Sequence, residues 1–420
     1  MNHFELRGGI LHAEDVPLPE IADAVGTPVY VYSRATLMRH ARIFRDALAP
    51  LGNPWPAFAV KANPNLAVLR VLAREGYGAD VVSAGELDRA IAAGMEPGTI
   101  VFSGVGKTGA ELAHGLKSGI GQFNVESEEE GFELAAIAAR MGRKADCALR
   151  VNPDVDAGTH EKISTGKKDS KFGVPIGDAA SVYHRLEREA GLAMRGIAVH
   201  IGSQLASLAP LERAFKKVGT LIAELRAAGS RISHVDLGGG LGVPYKAGDS
   251  YPDPSDYAAM VMRVTHGWGV RLMFEPGRVI AGNAGVLLSR VIRVKRGAQR
   301  PFVVMDAAMN DLARPAMYGA WHDIDAVAPD GATMTAHIVV GPICETGDTF
   351  ATNRTCDRLE AGDLAVFRTA GAYGATMASS YNSRGFVPEV LVDGDRFAVV
   401  ADRIAPAAIM QAERVPDWLT

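Results

Sequence analysis

Lys61 ends the apolar run PAFAVK at residues 56–61. An amine at the end of a buried strand is desolvated, which favours its neutral, nucleophilic form and imine chemistry. Far downstream stand two further groups, Gly238-Gly239-Gly240-Leu241-Gly242 and Glu275-Pro276-Gly277-Arg278. Glycines let the backbone approach an anion closely and aim several N–H groups at it. Loops are often glycine-rich, but beside an arginine this pattern reads as a phosphate cradle. A strand-end lysine together with a phosphate cradle is what pyridoxal phosphate (PLP) requires.

These residues need a scaffold that gathers them. Between residues 54 and 278 short apolar runs alternate with amphipathic ones. The runs at 56–61, 78–83, 99–103, 121–126, 145–151, 195–201, 233–238 and 271–275 predict strands. Helical spacing lies between them, as at 86–93, 128–141 and 211–228. Strand–helix alternation predicts a parallel sheet, and eight such units in this length predict a (β/α)8 TIM barrel. Catalytic groups of such barrels collect at the C-terminal strand ends. Here those ends carry Lys61, Asp80, Ser103, Glu126, Arg150, His200, Ser203, Asp236 and Glu275. Strand ends are also polar because they meet solvent, so none of these marks a site alone.

After residue 282 the texture changes. The runs 284–295, 302–306, 334–340, 363–369 and 389–400 are strand-like, with little helical material between them. Val392-Asp393-Gly394-Asp395 predicts a hairpin, since glycine supplies the positive φ of a tight turn. The expected organisation is a PLP-binding barrel over 29–281 and an all-β domain formed by 282–420, joined by 1–28 with its Gly8-Gly9 turn.

Composition sets the class. Of 420 residues, 48% are hydrophobic and 22% charged, which suits a globular chain with an ample core. A net charge of −4, with both signs interspersed, offers nothing for nucleic acid or an anionic membrane. The opening MNHFELRGGI is not patterned as a signal peptide, and no apolar run approaches a membrane span. Cys147, Cys344 and Cys356 are odd in number and far apart, which argues against a disulfide framework or a metal site and for a reducing cytoplasm.

AFAVKAN, HEKISTGKKDSKFG (160–173), HIGSQ (200–204), DLGGGLG (236–242), EPGR (275–278), GPICETGD (341–348) and YNSRG (381–385) follow one another in order. Together they resemble the diaminopimelate/ornithine decarboxylase family, a branch of the alanine-racemase-like PLP enzymes, over roughly residues 28–400. GPICETGD and RPAMYGAWH (314–322) resemble its diaminopimelate-specific members most.

The resemblance implies decarboxylation of meso-2,6-diaminopimelate to L-lysine in a homodimer with shared active sites. It makes Lys61 the Schiff-base lysine and puts Gly240, Ser203, Pro276, Gly277 and Arg278 at the phosphate. Glu275 falls at the pyridine nitrogen and His200 on the ring face; a core histidine is the plainer reading of His200. Arg278, Arg314 and Tyr318 are implied for the distal carboxylate, Glu345 for the distal ammonium, and Tyr373 for phosphate and substrate. A planar guanidinium suits a carboxylate bidentately, although most such arginines and glutamates are surface charges. Cys344 is the implied acid that protonates the carbanion, whereas Cys147 and Cys356, the latter after a Thr-Asn-Arg-Thr loop, read as structural. Asp80 and Arg150 are implied to support the site from behind, and an ordinary barrel ion pair explains them equally well.

Two other readings stay open. One is a different enzyme on the same scaffold: an ornithine, arginine or carboxynorspermidine decarboxylase, or an amino-acid racemase. Ornithine lacks the distal carboxylate that Arg314 and Tyr318 would bind, and a racemase needs a tyrosine acid where this chain offers a cysteine. The other is a non-catalytic PLP-binding regulator, against which the retention of Lys61 and Cys344 speaks.

Overall fold

The computed structural model describes residues 2–158, 165–166 and 170–419. Most of the HEKISTGKKDSKFG motif, including His160 to Ile163, lies outside the described residues. The chain divides into two units, one of residues 38–243 and 250–280, the other of residues 1–37, 244–249 and 281–420.

The first unit is a closed barrel. Its eight parallel strands are Trp55–Ala59, Gly78–Val81, Ile100–Phe102, Gln122–Val125, Ala145–Asn152, Leu192–Val199, His234–Asp236 and Arg271–Phe274. The ring closes where Met273 and Phe274 register with Trp55 and Pro56. Barrel strands are covered on both faces, so their sequences are mainly apolar rather than strictly alternating. Phe58, Phe102, Phe123 and Phe274 are all at most 2% exposed. Trp55, Ala57, Val101 and Met273 fill the barrel floor as one cluster. Helix starts are set by side chains: Thr108 and Glu111 form a reciprocal capping box, and Ser83 and Ser127 cap the helices behind them.

The second unit is sheet-rich. Its main sheet runs Thr349–Asp357, Thr333–Val340, Phe302–Met305, Gly285–Lys295, Val29–Ser33, Glu389–Asp393, Arg396–Ala401. Leu364–Phe367 also pairs with Gly285–Lys295, and Ile324–Ala326 extends it. The N-terminal hairpin turns at Gly8 and Gly9, with φ of +57° and +82°, and shares the apolar core through Phe4 and Leu11. The expected hairpin at Gly394 forms, with Asp393 opposite Arg396.

Three expectations shift. Val29–Ser33 falls at the start of the expected barrel range 29–281, but it pairs with Gly285–Leu288 and Glu389–Val392 in the second unit. Thr352 to Thr355, read as a loop, lie inside the strand Thr349–Asp357. The first barrel strand stops at Ala59, so Lys61 stands in the 3-10 turn Val60–Ala62.

Candidate active site

At the C-terminal mouth of the barrel the side chains interlock. Lys61 Nζ donates to Asp80 Oδ2 at 2.5 Å. Asp80 is fully buried, whereas the Lys61 side chain is 37% exposed. The expected desolvated amine is therefore half in solvent and charge-paired, because the turn after Ala59 carries it past the strand end. Asp80 and Arg150 are not paired with one another. Arg150 instead donates to Glu126 at 2.5 Å, and Glu126 also accepts from the Gly104 and Gly173 N–H groups at 2.9 Å each.

Two carboxyls meet beneath this layer. Asp236 and Glu275 hydrogen-bond to each other, and burial raises both carboxyls from their ordinary values, Glu275 well above. Two adjacent buried carboxyls cannot both ionise. Asn124 Nδ2 and the Gly238 N–H donate to Asp236 at 2.8 and 2.9 Å, which favours charge on Asp236 and leaves the proton on Glu275. Ser103, Asn124, Arg150, His200, Asp236 and Glu275 line a small cavity.

His200 is half-buried, and the Gly239 N–H donates to its Nδ1 at 3.2 Å. Burial, then the Arg150 and Lys61 charges, hold its pKa well below the usual histidine value, so the ring is neutral. The adjoining glycines are required by space. A Cβ on Gly238 would lie 2.9 Å from His200 Nδ1, and one on Gly240 only 2.4 Å from the Gly202 carbonyl. Gly240 also has a φ of +113°, open essentially to glycine alone. Pro276 accepts from the Ala59 N–H at 3.1 Å, tying the eighth loop to the first strand. A Cβ on Gly277 would meet Ala59 and Ala62 at about 3 Å. Arg278 donates to Ser203 Oγ at 3.1 Å. These residues fit PLP: an amine, a bare glycine cradle beside an arginine, and a buried carboxyl able to give or take a proton.

The second unit carries the remaining candidates. Arg314 opens the helix Arg314–Tyr318 and is 6% exposed, whereas Tyr318 is half-buried. Cys344 and Glu345 are exposed on a loop gathered by Asp348. The two Asp348 carboxylate oxygens accept from the Met309 and Ile343 N–H groups at 2.7 Å each. Asn382 Oδ1 accepts from the Cys344 N–H at 2.9 Å, and Tyr381 bonds Glu345, which raises the phenol above its usual range. Asn382 and Tyr373 both adopt left-handed backbone, φ +55° and +56°, a conformation that asparagine tolerates but that tyrosine holds only where the surroundings demand it. Asp348 and Asn382 received no role from sequence. The YNSRG motif held the signal for Asn382, but its function was not readable before its contact with Cys344.

The model "Pyridoxal-dependent decarboxylase, pyridoxal binding domain" matches residues 34–282. A diaminopimelate decarboxylase of Zymomonas mobilis is 53% identical, covering 99% of each chain. One from Pseudomonas fluorescens is 48% identical over 98% of this chain and 99% of its own. Among solved structures, the M. jannaschii diaminopimelate decarboxylase in co-complex with L-lysine superposes with a TM-score of 0.96 at 34% identity, covering 100% of both chains. The Helicobacter pylori enzyme complexed with L-lysine gives 0.91 at 37%, covering 94% of this chain and 98% of that one. With its barrel mouth suited to the cofactor and these likenesses spanning the whole chain, the protein belongs to the diaminopimelate decarboxylase family of pyridoxal-dependent enzymes.

Proposed function

We propose that the protein is a PLP-dependent carboxy-lyase that releases one carboxylate of meso-2,6-diaminopimelate as CO2 and leaves L-lysine, the last step of lysine biosynthesis. The observation that carries this is the likeness, over 99% of the chain, to a diaminopimelate decarboxylase. Two solved relatives were captured with L-lysine, which suits lysine as product.

The roles follow from chemistry. Lys61 holds the cofactor through its amine. Gly240, Gly277, Ser203 and Arg278 take the phosphate, Pro276 fixes their loop, and Tyr373 closes on phosphate and substrate. Glu275 would serve the pyridine nitrogen, and its retained proton suits a partner that must share one. His200, neutral, would cover the ring face without adding charge. When bound, PLP supplies the electron sink that makes loss of CO2 feasible. The bond from Cα to the departing carboxylate breaks, and its electron pair takes up a proton, which the Cys344 thiol delivers. Arg314, Tyr318 and Arg278 bind the distal carboxylate, and Glu345 takes the distal ammonium.

Completion of each site by the partner's Cys344 loop makes the working form a homodimer. All three cysteines are free thiols, in keeping with a reducing cytoplasm. Among the described residues, no helix is long and apolar enough to cross a membrane. The test is CO2 release by PLP-loaded protein offered meso-diaminopimelate, ornithine, arginine and carboxynorspermidine separately. Diaminopimelate should be used with the highest kcat/KM. A preference for any of the other three would overturn the substrate reading.

A further inference from the structure

The second unit holds a buried arginine–histidine contact that no role above requires. The helix Arg314–Tyr318 stops at Gly319, whose φ is +59°, and the chain turns back to set His322 beside Arg314. His322 is 2% exposed. Arg314 Nη1 lies 2.8 Å from His322 Nε2, and His322 Nδ1 lies 2.7 Å from the Arg368 carbonyl oxygen.

These contacts assign the ring's protons. A guanidinium has only donors, so Nε2 must accept. A carbonyl oxygen only accepts, so Nδ1 carries the hydrogen and donates. Both neighbours demand the same neutral tautomer. Arg354 Nη1 also donates to the His322 carbonyl at 2.6 Å, which pins the backbone. On the other side Tyr245 packs edge-to-face against the His322 ring, centroids 5.2 Å apart, and lies 4.4 Å beneath the Arg314 guanidinium carbon. One edge of the guanidinium is thus fixed by an imidazole and one face by a phenol ring.

We infer that His322 is a positioning residue for substrate selection: its bare Nε2, with the Tyr245 ring, sets the plane of the Arg314 guanidinium for bidentate capture of the substrate's distal carboxylate. The inference rests on the reading of Arg314 given above. A neutral acceptor suits this task physically. An aspartate in its place would orient the guanidinium equally well but would cancel the charge that the carboxylate needs. Imidazole orients without neutralising.

The experiment uses the PLP-loaded enzyme and meso-diaminopimelate. His322→Ala should raise KM roughly tenfold and leave kcat within about twofold, the loss of an oriented charge-assisted contact. His322→Gln, whose amide oxygen can accept from Arg314, should recover most of that loss. The Ki of 1,5-diaminopentane, which has no carboxylate, should not change in either variant, and neither should the visible absorbance of the bound cofactor. In an Arg314→Ala background, His322→Ala should add almost nothing. Should the alanine variant not fold, His322→Leu fills the space without an acceptor and makes the same comparison with His322→Gln. An unchanged KM in His322→Ala while Arg314→Ala raises it would overturn the inference and leave the Arg314 reading standing. An unchanged KM in Arg314→Ala would overturn both. Equal losses of cofactor, kcat and diaminopentane affinity would reduce His322 to a structural histidine and overturn the inference as well.

Discussion

Lys61 and Asp80 form an unequal ion pair: the amine reaches solvent and the carboxylate, 2.5 Å away, is sealed in the barrel. Removing each partner should therefore have different consequences. In the cofactor-free protein, Lys61→Ala strands a buried carboxylate and should cost about 3–5 kcal/mol. Asp80→Asn leaves an amine that water can solvate, and should cost about 1 kcal/mol or less. Urea midpoints of the two apoproteins decide this; equal losses would show that the pair is not asymmetric.

The Asp236–Glu275 pair should print a pH slope on stability. Burial raises Glu275 well above the ordinary carboxylate range. A carboxyl with a raised folded pKa binds its proton more tightly when folded than when unfolded. Its contribution is complete below the ordinary carboxylate range and is lost as pH climbs through the raised folded value. The pair's contribution to apoprotein stability should therefore fall as pH rises above about 4.5, the range where an unperturbed glutamate ionises. Glu275→Gln should flatten that slope, because the amide still donates to Asp236 but does not titrate. Thermal melts from acid to neutral pH test it, and an unaltered slope in the variant would count against the shared proton.

Gly240 should be far less replaceable than Gly394. A methyl on Gly240 would sit 2.4 Å from a backbone carbonyl at a φ of +113°, whereas Gly394, at +65°, has open space around it. Gly240→Ala should cost at least about 1–3 kcal/mol in strain and weaken PLP binding roughly tenfold or more. Gly394→Ala should cost about 1–2 kcal/mol and leave PLP affinity alone. Calorimetry and PLP titration of both variants make the comparison, and a Gly240→Ala protein with wild-type affinity would remove Gly240 from the cradle.

If the partner's Cys344 completes each site, two dead variants should rescue one another. Mixed dimers of Lys61→Ala and Cys344→Ala carry one site with both lesions and one with neither. Random exchange makes half the dimers mixed, so activity should return to about a quarter of wild type. Mixtures that exchange subunits yet stay inactive would place Cys344 in its own chain's site.

The barrel was legible because each strand advertises itself locally. A parallel strand covered on both faces is mainly apolar, and runs such as PAFAVK and ADCALRV are. The glycine loop was legible because sterics leave Gly240 no substitute. Val29–Ser33 was misplaced because its partners lie some 250 and 360 residues away in sequence, and no periodicity encodes such pairing. Thr349–Asp357 was half-hidden because the exposed part of the strand, Thr352-Asn353-Arg354-Thr355, has the composition of a turn. His322 carries no legible role within RPAMYGAWH, since its meaning lies in a turn at Gly319 that brings it back onto Arg314. The unequal burial of Lys61 and Asp80 was likewise invisible, because a turn of three residues decides it.

Every role proposed at the barrel mouth depends on Lys61 carrying the cofactor. Load the protein with PLP, reduce it with borohydride, digest it and sequence the labelled peptide. The label should fall on Lys61, in the peptide containing AFAVKAN, and Lys61→Ala should take none. Lys107 is the sharpest alternative, since it too follows a barrel strand, but it is sealed against Glu130 and the Gly104 and Asn124 carbonyls. A label on Lys107, or full PLP binding with no covalent label, would contradict the site as built here.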